Sequence, residues 1–310
     1  MRIVFMGSPD FAVLPLQALV RAGHDVACVV TQPDKKRNRG VMQPTPVKAM
    51  ALELGLNVIA PERIKTAETV ELLRAFQADL FVVVAYGQLL SEDVLALPRY
   101  GAINIHASLL PAYRGSAPIH HAILDGQSRS GVSIMYLDKG MDSGDVIVSR
   151  AMDIGCNETT GELYDRMCET GTQLMLEAVD MIDKGIAPRI PQDHAAATYA
   201  PMIKKEHEVI DWNRPAVELH NQIRALNPAP GAYTMLEDKR LKLWSSCVDD
   251  MAMPQDARAG MVVSIGPDSM WVCCGSGVLR LDVVQPQNKS RMAAGAFARG
   301  YHVEKGTLLG

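Results

Sequence analysis

Residues Leu80-Phe81-Val82-Val83-Val84-Ala85 form a strongly apolar run that is too short for a typical helix. Its β-branched and aromatic side chains favour an extended conformation. A run of this length, without alternating polar positions, is typical of a central strand that helices cover on both faces. The stretch therefore predicts a sheet with two buried faces.

The segments on either side of this run alternate between strand and helix patterns. An apolar run at 2–6 ends in a turn at Gly7 and precedes a helical pattern that extends to about Arg21. Further strands are predicted near 25–31, 101–106, 132–137 and 146–150, with helices near 47–54, 66–76, 117–124 and 159–184. This alternation predicts the α/β class with a doubly wound sheet.

The composition changes after the last of these helices. Residues 186–201 contain Pro188, Pro191 and Pro201 with little periodicity, which is typical of a linker. A helix near 216–226 and several short strands separated by turn residues follow, and this pattern predicts a small β-barrel or sandwich. We expect domains at 1–188 and 207–310, joined by a linker at 189–206.

The bulk properties exclude several classes of protein. No uninterrupted apolar run approaches about 20 residues, so no membrane span is expected. The first residues predict a strand and not a signal peptide. The six cysteines show no CxxC spacing, which suits a reducing cytoplasm. A net charge of −4 argues against non-specific nucleic-acid binding by the whole surface. We expect a cytoplasmic monomer without a metal site.

Two polar residues stand at the end of one predicted strand. Asn104 and His106 are two positions apart, so both side chains leave the same face. An amide can stabilise a developing oxyanion, and a neutral imidazole can transfer a proton. Asp142, just past another strand, supplies a carboxylate. The three residue types together suit acyl transfer without a covalent nucleophile, although each taken singly is also an ordinary turn or strand-end residue.

A charge-rich loop is predicted after the second strand. It contains Lys35, Lys36, Arg37 and Arg39 and shows no apolar period. Such a segment is most often a solvated surface loop. Its place after a strand of a doubly wound sheet puts it at the rim of the expected site, which favours a functional role.

Several motifs are dispersed over nearly the whole chain in one order. They are the segments 3–11, 31–34 and 44–48, Asn104-x-His106-x-Ser108-Leu109-Leu110-Pro111, Arg114-Gly115, Met141-Asp142-x-Gly144-Asp145, and the segments 199–212, 224–228 and 285–292. In this order they resemble the folate-dependent formyltransferases. A set of dispersed motifs is far more specific than any one of them.

The resemblance implies a Rossmann-like, mostly parallel N-terminal domain that binds 10-formyltetrahydrofolate, and an OB-like C-terminal barrel that helps to hold tRNA. It implies transfer of the formyl group to the α-amine of methionine on initiator methionyl-tRNA, without a metal. The residues that match family sites are Asn104, His106 and Asp142 for catalysis; Ser108, Leu109, Leu110 and Pro111 for the folate; and Lys35, Lys36, Arg37 and Arg39 for tRNA. Lys204 and Lys205 are further candidates for tRNA contact, with a solvated linker as the alternative.

The residues leave some alternatives open. An enzyme of the same family that acts on an amino-sugar nucleotide or on glycinamide ribonucleotide would keep the same catalytic residues. The basic loop argues against both, and the second domain argues against the ribonucleotide enzyme. A nicotinamide-dependent dehydrogenase would need more glycines than Gly7 in the first turn. A non-enzymatic RNA-binding protein would leave Asn104, His106 and Asp142 unexplained. Which of His106 and Asp142 acts as the base also stays open.

Overall fold

The chain forms two compact units. The computed structural model describes residues 1–37 and 41–310, with the backbone alone for 35–37 and 41. The first unit comprises Met1–Gly115, Ser130–Met152 and Tyr164–Tyr199, and the second comprises Ser116–Arg129, Asp153–Leu163 and Ala200–Gly310. The domain boundaries expected at 188 and 207 stay a prediction.

The regular elements follow one another in the order that the alternation suggests. The strands are β1 (Arg2–Gly7), β2 (Asp25–Val30), β3 (Lys35–Arg37), β4 (Val41–Gln43), β5 (Val58–Ile59), β6 (Leu80–Val84), β7 (Ala102–His106), β8 (Arg129–Tyr136), β9 (Val146–Asp153), β10 (Tyr233–Leu236), β11 (Lys239–Asp249), β12 (Val262–Ile265), β13 (Met270–Cys273), β14 (Val278–Pro286) and β15 (Met292–Ala293). The α-helices are α1 (Val13–Arg21), α2 (Pro46–Glu53), α3 (Ala67–Ala75), α4 (Glu92–Leu95), α5 (Pro118–Leu124), α6 (Thr160–Asp183), α7 (Ala216–Ala225) and α8 (Ala294–Gly300). Short 3-10 helices lie at Asp10–Ala12, His194–Ala196 and Lys205–Glu208.

A seven-stranded sheet organises the first unit, in the order β5-β2-β1-β6-β7-β8-β9. The pairs from β5 to β7 are parallel, and β8 runs antiparallel to β7. All five residues of β6 are buried, as expected for a central strand with helices on both faces. The predicted Rossmann-like, mostly parallel sheet is confirmed.

The topology decides where a site can form in this unit. The chain passes from β1 outward to β2 on one side and later to β6 and β7 on the other. In open α/β sheets, ligands bind beyond the carboxyl ends of the strands near such a reversal. β7 ends at His106, so Asn104 and His106 lie at the edge that this rule selects.

An antiparallel sheet organises the second unit, in the order β10-β11-β14-β13-β12, with β15 paired to β14. Its apolar face packs against α7 and α8 through residues such as Leu219, Ile223, Leu243 and Phe297. Trp212 is 4% exposed and belongs to this core, and Trp244 is 7% exposed. The curled sheet is consistent with the predicted small barrel domain.

The structure differs from the predictions in local elements. The basic segment is predicted as a loop, whereas Lys35–Arg37 pairs with Val41–Gln43 as antiparallel strands. Strands of three charged or mixed residues carry no alternation that a pattern could reveal. The two-residue strand β5 and the single-turn helix α4 escape prediction for the same reason. Within the described residues, none of the helices has the length and apolarity needed to span a membrane.

Candidate active site

Asn104 and His106 extend from the carboxyl-terminal end of β7. Residues two apart on a strand share a face, so the amide and the imidazole point to the same side of the sheet. β7 lies between β6 and β8, where His106 pairs with Ser133. His106 is 5% exposed and therefore held firmly, whereas Asn104 is half-buried and thus partly accessible.

Asp142 lies in the loop between β8 and β9, with its backbone at a φ of +49°. Aspartate is one of the few residues other than glycine that tolerate this left-handed conformation, which costs about 1–2 kcal/mol. Asp138 shapes the loop, because its carboxylate accepts hydrogen bonds from the Gly140 N–H at 2.9 Å and from the Ser143 hydroxyl at 2.8 Å. A side chain at Gly144 would collide with the Tyr136 carbonyl. The loop is thus built to hold one conformation.

The loop brings the Asp142 carboxylate to His106. One carboxylate oxygen lies 3.6 Å from Nδ1 of the imidazole. The other ring nitrogen, Nε2, lies 2.9 Å from the carbonyl oxygen of Tyr113. A carbonyl can only accept, so we assign the hydrogen to Nε2. In the neutral ring, Nδ1 is then an unprotonated base that faces a carboxylate, and a proton delivered between the two groups is stabilised by both.

One short segment contacts both ionisable side chains. The Tyr113 carbonyl accepts from His106, and the Gly115 N–H donates to the Asp142 carboxylate at 2.8 Å. Tyr113 itself has a φ of +59°, which turns its carbonyl and the following N–H groups toward the site. The relative position of His106 and Asp142 therefore depends on residues 113–115.

Sequence analysis misses a buried glutamine that supports this arrangement. Gln192 is 8% exposed, and its Nε2 donates to the carbonyls of Asp142 at 2.9 Å and Gly144 at 2.7 Å. Its Oε1 accepts two hydrogen bonds from the guanidinium of Arg114, at 2.6 and 3.1 Å. Gln192 falls in the predicted linker, 50 positions after Asp142. A lone glutamine in a proline-containing segment offers no sequence signal for this role.

The chemistry that these side chains can perform is narrow. An accessible amide can donate a hydrogen bond to an oxygen that gains negative charge. The imidazole and carboxylate can accept and return a proton. Among the described residues, no cluster of histidine, cysteine, aspartate or glutamate is arranged to hold a metal ion. The geometry suits the transfer of an acyl-type group to a nucleophile that must lose a proton.

The predicted folate residues follow His106 directly. Ser108 is fully buried, and its hydroxyl donates to the Ala112 carbonyl at 2.6 Å. Leu109, Leu110 and Pro111 are half-buried. The Leu110 N–H donates to the Ser133 hydroxyl at 3.2 Å. The serine thus shapes the turn after β7, and the three residues that follow present apolar surface beside the catalytic candidates.

The predicted tRNA residues are divided between the two units. Lys35, Lys36 and Arg37 form β3 in the first unit, and Arg39 lies outside the described residues. Lys204 and Lys205 lie in the second unit and are exposed. Lys204 pairs with Glu206 at 3.5 Å, which offsets part of its charge.

Two family models match the chain. The model described as formyl transferase covers residues 1–179, and the model described as formyl transferase, C-terminal domain covers residues 202–302. Together they account for most of the sequence and for both the parallel and the antiparallel sheet.

Relatives and solved structures agree with these matches. The chain is 48% identical to "Methionyl-tRNA formyltransferase" of Agathobacter rectalis, over 100% of this chain and 99% of the relative. It is also 48% identical to the protein of the same name from Moorella thermoacetica, with the same coverage. The fold is similar, at a TM-score of 0.69 and 19% identity, to the crystal structure of WlaRD, a sugar 3N-formyl transferase in the presence of dTDP and 5-N-formyl-THF, covering 94% of this chain and 99% of that one. The chain described here belongs to the formyl transferase family.

Proposed function

We propose that this enzyme transfers the formyl group of 10-formyltetrahydrofolate to the α-amine of methionine on initiator methionyl-tRNA, for translation initiation in the cytoplasm. One observation carries the proposal: relatives that bear the name methionyl-tRNA formyltransferase match the chain from end to end at 48% identity. The likeness to a sugar formyl transferase is structural, at 19% identity. Transfer to an amino-sugar nucleotide is therefore the second candidate.

Asn104 is proposed to stabilise the charge that develops on the formyl oxygen. The amine nitrogen attacks the formyl carbon, and the carbonyl π electrons move onto oxygen to form a tetrahedral intermediate. An amide donor aimed at this oxygen stabilises the transition state more than the ground state. The half-buried position of Asn104, on the same face of β7 as His106, supports this role.

His106 and Asp142 are proposed to move the proton. The attacking amine must lose a proton, and N10 of the folate must gain one before the bond between carbon and N10 breaks. The unprotonated Nδ1, 3.6 Å from the carboxylate, can take the proton from the amine while Asp142 stabilises the resulting imidazolium. The same proton can then be delivered to N10, so that the pair ends each turnover as it began.

The folate is proposed to lie against the turn after β7. Leu109, Leu110 and Pro111 offer apolar contact for a flat ring system, and Ser108 holds the turn through its hydrogen bond to Ala112. Site residues of this kind need a rigid support. The buried Ser133 supplies it, because its hydroxyl donates to the Ser108 carbonyl at 2.8 Å and accepts from the Leu110 N–H.

The tRNA is proposed to contact Lys35, Lys36, Arg37 and Arg39 at the rim of the site, and Lys204 and Lys205 in the linker. Cationic side chains there would neutralise phosphates of the acceptor stem. The linker at 189–206 and the C-terminal domain at 207–310 belong to the same proposal, with the second domain as an additional tRNA-binding surface.

The charge distribution in the second unit supports that surface. Arg291 lies 3.7 Å and Lys242 5.4 Å from the ring centre of Trp244, and Arg240 lies 4.7 Å from that of Tyr233. In the described part of the chain, none of these three cations forms a salt bridge. Residues 207–310 carry eleven lysine and arginine residues against eleven aspartate and glutamate residues, but Arg240, Lys242 and Arg291 supply cations outside salt bridges that suit a phosphate backbone.

The test is a panel of acceptors for one formyl donor. Purified protein is incubated with 10-formyltetrahydrofolate and either charged initiator methionyl-tRNA, charged elongator methionyl-tRNA or an amino-sugar nucleotide. Formylation of the initiator tRNA alone is the expected result. Formylation of the sugar nucleotide without either tRNA would replace the proposal by the second candidate.

The basic segment can be tested in the same assay. Arg39→Ala should raise the KM for tRNA and leave folate binding unchanged, because a phosphate contact serves only the acceptor. Arg21→Ala, a change in charge on α1 outside the segment, is the control. Equal losses for both substrates in the Arg39 variant would contradict a tRNA role.

A further inference from the structure

The second unit contains a cleft that the proposed reaction does not use. Its volume is about 130 Å³, and its lining includes Asn157, His220, Arg224, Ser245, Ser246 and Arg280. One water molecule needs about 10–15 Å³ of such space, so the cleft has room for a tetrahedral oxyanion. Most of the lining is polar, and two guanidinium groups contribute to it.

Arg224 is the most unusual part of this lining. It is 6% exposed, and its Nε donates to the Asn221 amide oxygen at 3.0 Å. Its Nη1 donates to the carbonyls of Gly155 at 3.2 Å and Glu158 at 3.1 Å. These acceptors are all neutral, and the bonds leave Nη2 without a partner in the described chain. Burial lowers the pKa of Arg224 from its ordinary value. The charges of Cys156 and Glu158 act in the opposite direction to burial, and Nη2 remains available as a donor to an anion in the cleft.

Arg280 adds a second donor group at the same cleft. Its Nε and Nη2 are held by Asp282 at 2.8 and 3.3 Å, which leaves Nη1 for another acceptor. The hydrogen bonds that Arg280 donates to Asp282, together with the charge of that carboxylate, raise the pKa of Arg280. Asp282 offsets the charge of Arg280 and Glu158 acts on Arg224, so the two guanidinium groups offer directed N–H donors to the cleft and not an uncompensated charge.

His220 fixes a hydroxyl group beside these cations. Its Nε2 donates to the Cys156 carbonyl at 2.9 Å, which makes Nδ1 the acceptor for the Ser246 hydroxyl at 3.1 Å. Burial lowers the pKa of His220, so the ring is neutral near pH 7. Ser246 thus donates its hydrogen to His220, and the neighbouring Ser245 contributes a second hydroxyl group to the lining.

The backbone is distorted at the same place. The pairing of β11 with β14 shifts register between Leu243 and Ser245 and again between Ser245 and Ser246. Bulges of this kind redirect side chains and occur often next to binding sites. The distortion brings consecutive residues of β11 to the cleft, which a regular strand with alternating faces would not do.

We propose that this cleft binds the terminal phosphate of a small phosphate monoester, with Arg224 and Arg280 as the donors to its oxygens. A guanidinium group matches phosphate geometry through paired N–H donors. A terminal phosphate can reach the buried Arg224. An internal phosphodiester of RNA carries a ribose on both sides and fits a cleft of this size poorly. The inference is independent of the acceptor specificity proposed above.

Isothermal titration calorimetry on the full chain tests the site, with inorganic phosphate and adenosine 5′-monophosphate as probes. One-site binding of both is expected. Arg280→Gln should weaken binding about tenfold or more, the loss expected for one charged hydrogen bond. Ser245→Asp should abolish binding, because it adds a carboxylate without altering either arginine. Arg258→Gln removes the same charge from an exposed position of the same unit and should have no effect.

Each variant is first checked by thermal unfolding, so that only folded protein is used in the titration. Absence of phosphate binding to the wild-type protein would overturn the proposal. Equal loss of affinity in Arg258→Gln and Arg280→Gln would also overturn it, because it would indicate diffuse electrostatic attraction. Displacement of phosphate by an RNA duplex with hydroxyl groups at its ends would reassign the cleft to the RNA backbone. Displacement by the monoester and not by this duplex supports the inference.

Discussion

Replacement of Gln192 by leucine tests how the first unit positions its catalytic residues. Gln192 makes four hydrogen bonds in the interior: two from the Arg114 guanidinium and two to the carbonyls of Asp142 and Gly144. Leucine keeps a similar volume and removes all four. Arg114 is 4% exposed and retains only its contact with His194 at 3.2 Å among the side chains described around it.

The hydrogen bonds to Arg114 and those to the Asp142 loop predict two separate effects, one on stability and one on kcat. A hydrogen bond to a charged group contributes about 1.5–3 kcal/mol, so the free energy of unfolding should fall by about 3 kcal/mol when Arg114 loses its acceptor. The Asp142 loop also loses the donor that holds it in the left-handed conformation. A displacement of about 1 Å at a catalytic group can cost about 100-fold in rate, and we expect a decrease in kcat of this order.

The Gln192→Glu variant separates the two effects. A carboxylate still accepts from Arg114, so part of the lost stability should be regained. It cannot donate to the two carbonyls and repels them, so kcat should stay low. Gln127→Leu, at an exposed position, is the matched control for the change in polarity. Urea denaturation and steady-state kinetics measure both quantities. Gln192→Leu with stability within about 0.5 kcal/mol of wild type and unchanged kcat would refute the positioning role.

Two further predictions follow from the site and from the second unit. Asn104→Ala should lower kcat by about 100- to 1,000-fold while folate binding stays near the wild-type value, measured by steady-state kinetics beside calorimetry; a loss confined to binding would contradict the oxyanion role. His220 should make stability depend on pH, because its pKa is lowered by burial while in the unfolded chain it keeps the ordinary value of 6.5. The unfolded state then binds more protons than the folded state. The contribution of His220 to the free energy of unfolding is therefore fully present above pH 6.5 and is lost as the pH falls below it. Between pH 7.5 and pH 5.5, the free energy of unfolding measured by urea denaturation should decrease less for His220→Gln than for wild type. Equal decreases in the two proteins would show that His220 does not cause the pH dependence.

The fold was largely accessible to sequence reasoning because its central strands are long and uniformly apolar. The run at 80–84 has no polar position, and its complete burial in β6 follows from that pattern. Asn104 and His106 could likewise be placed on one face, because the period of a strand is fixed by backbone geometry.

Tertiary contacts account for what the pattern could not supply. The approach of Asp142 to His106 depends on the conformation of residues 113–115 and on Gln192, which contacts the loop from 50 positions away. In the second unit, the positions of the charged side chains likewise could not be predicted from the sequence. Residues 207–310 carry as many basic as acidic residues, and only the pairing of β10 with β11 brings Arg240 over the ring of Tyr233.

The catalytic role of Asn104, His106 and Asp142 is tested most directly by single-turnover formyl transfer to initiator methionyl-tRNA with the Asp142→Asn variant. Asparagine keeps the size of the side chain and can still accept from the Gly115 N–H, but it cannot stabilise an imidazolium at His106. We expect a decrease of about 100-fold or more in the transfer rate, with binding of folate and tRNA near wild type. A transfer rate close to wild type would contradict the assignment of Asn104, His106 and Asp142 as the catalytic residues.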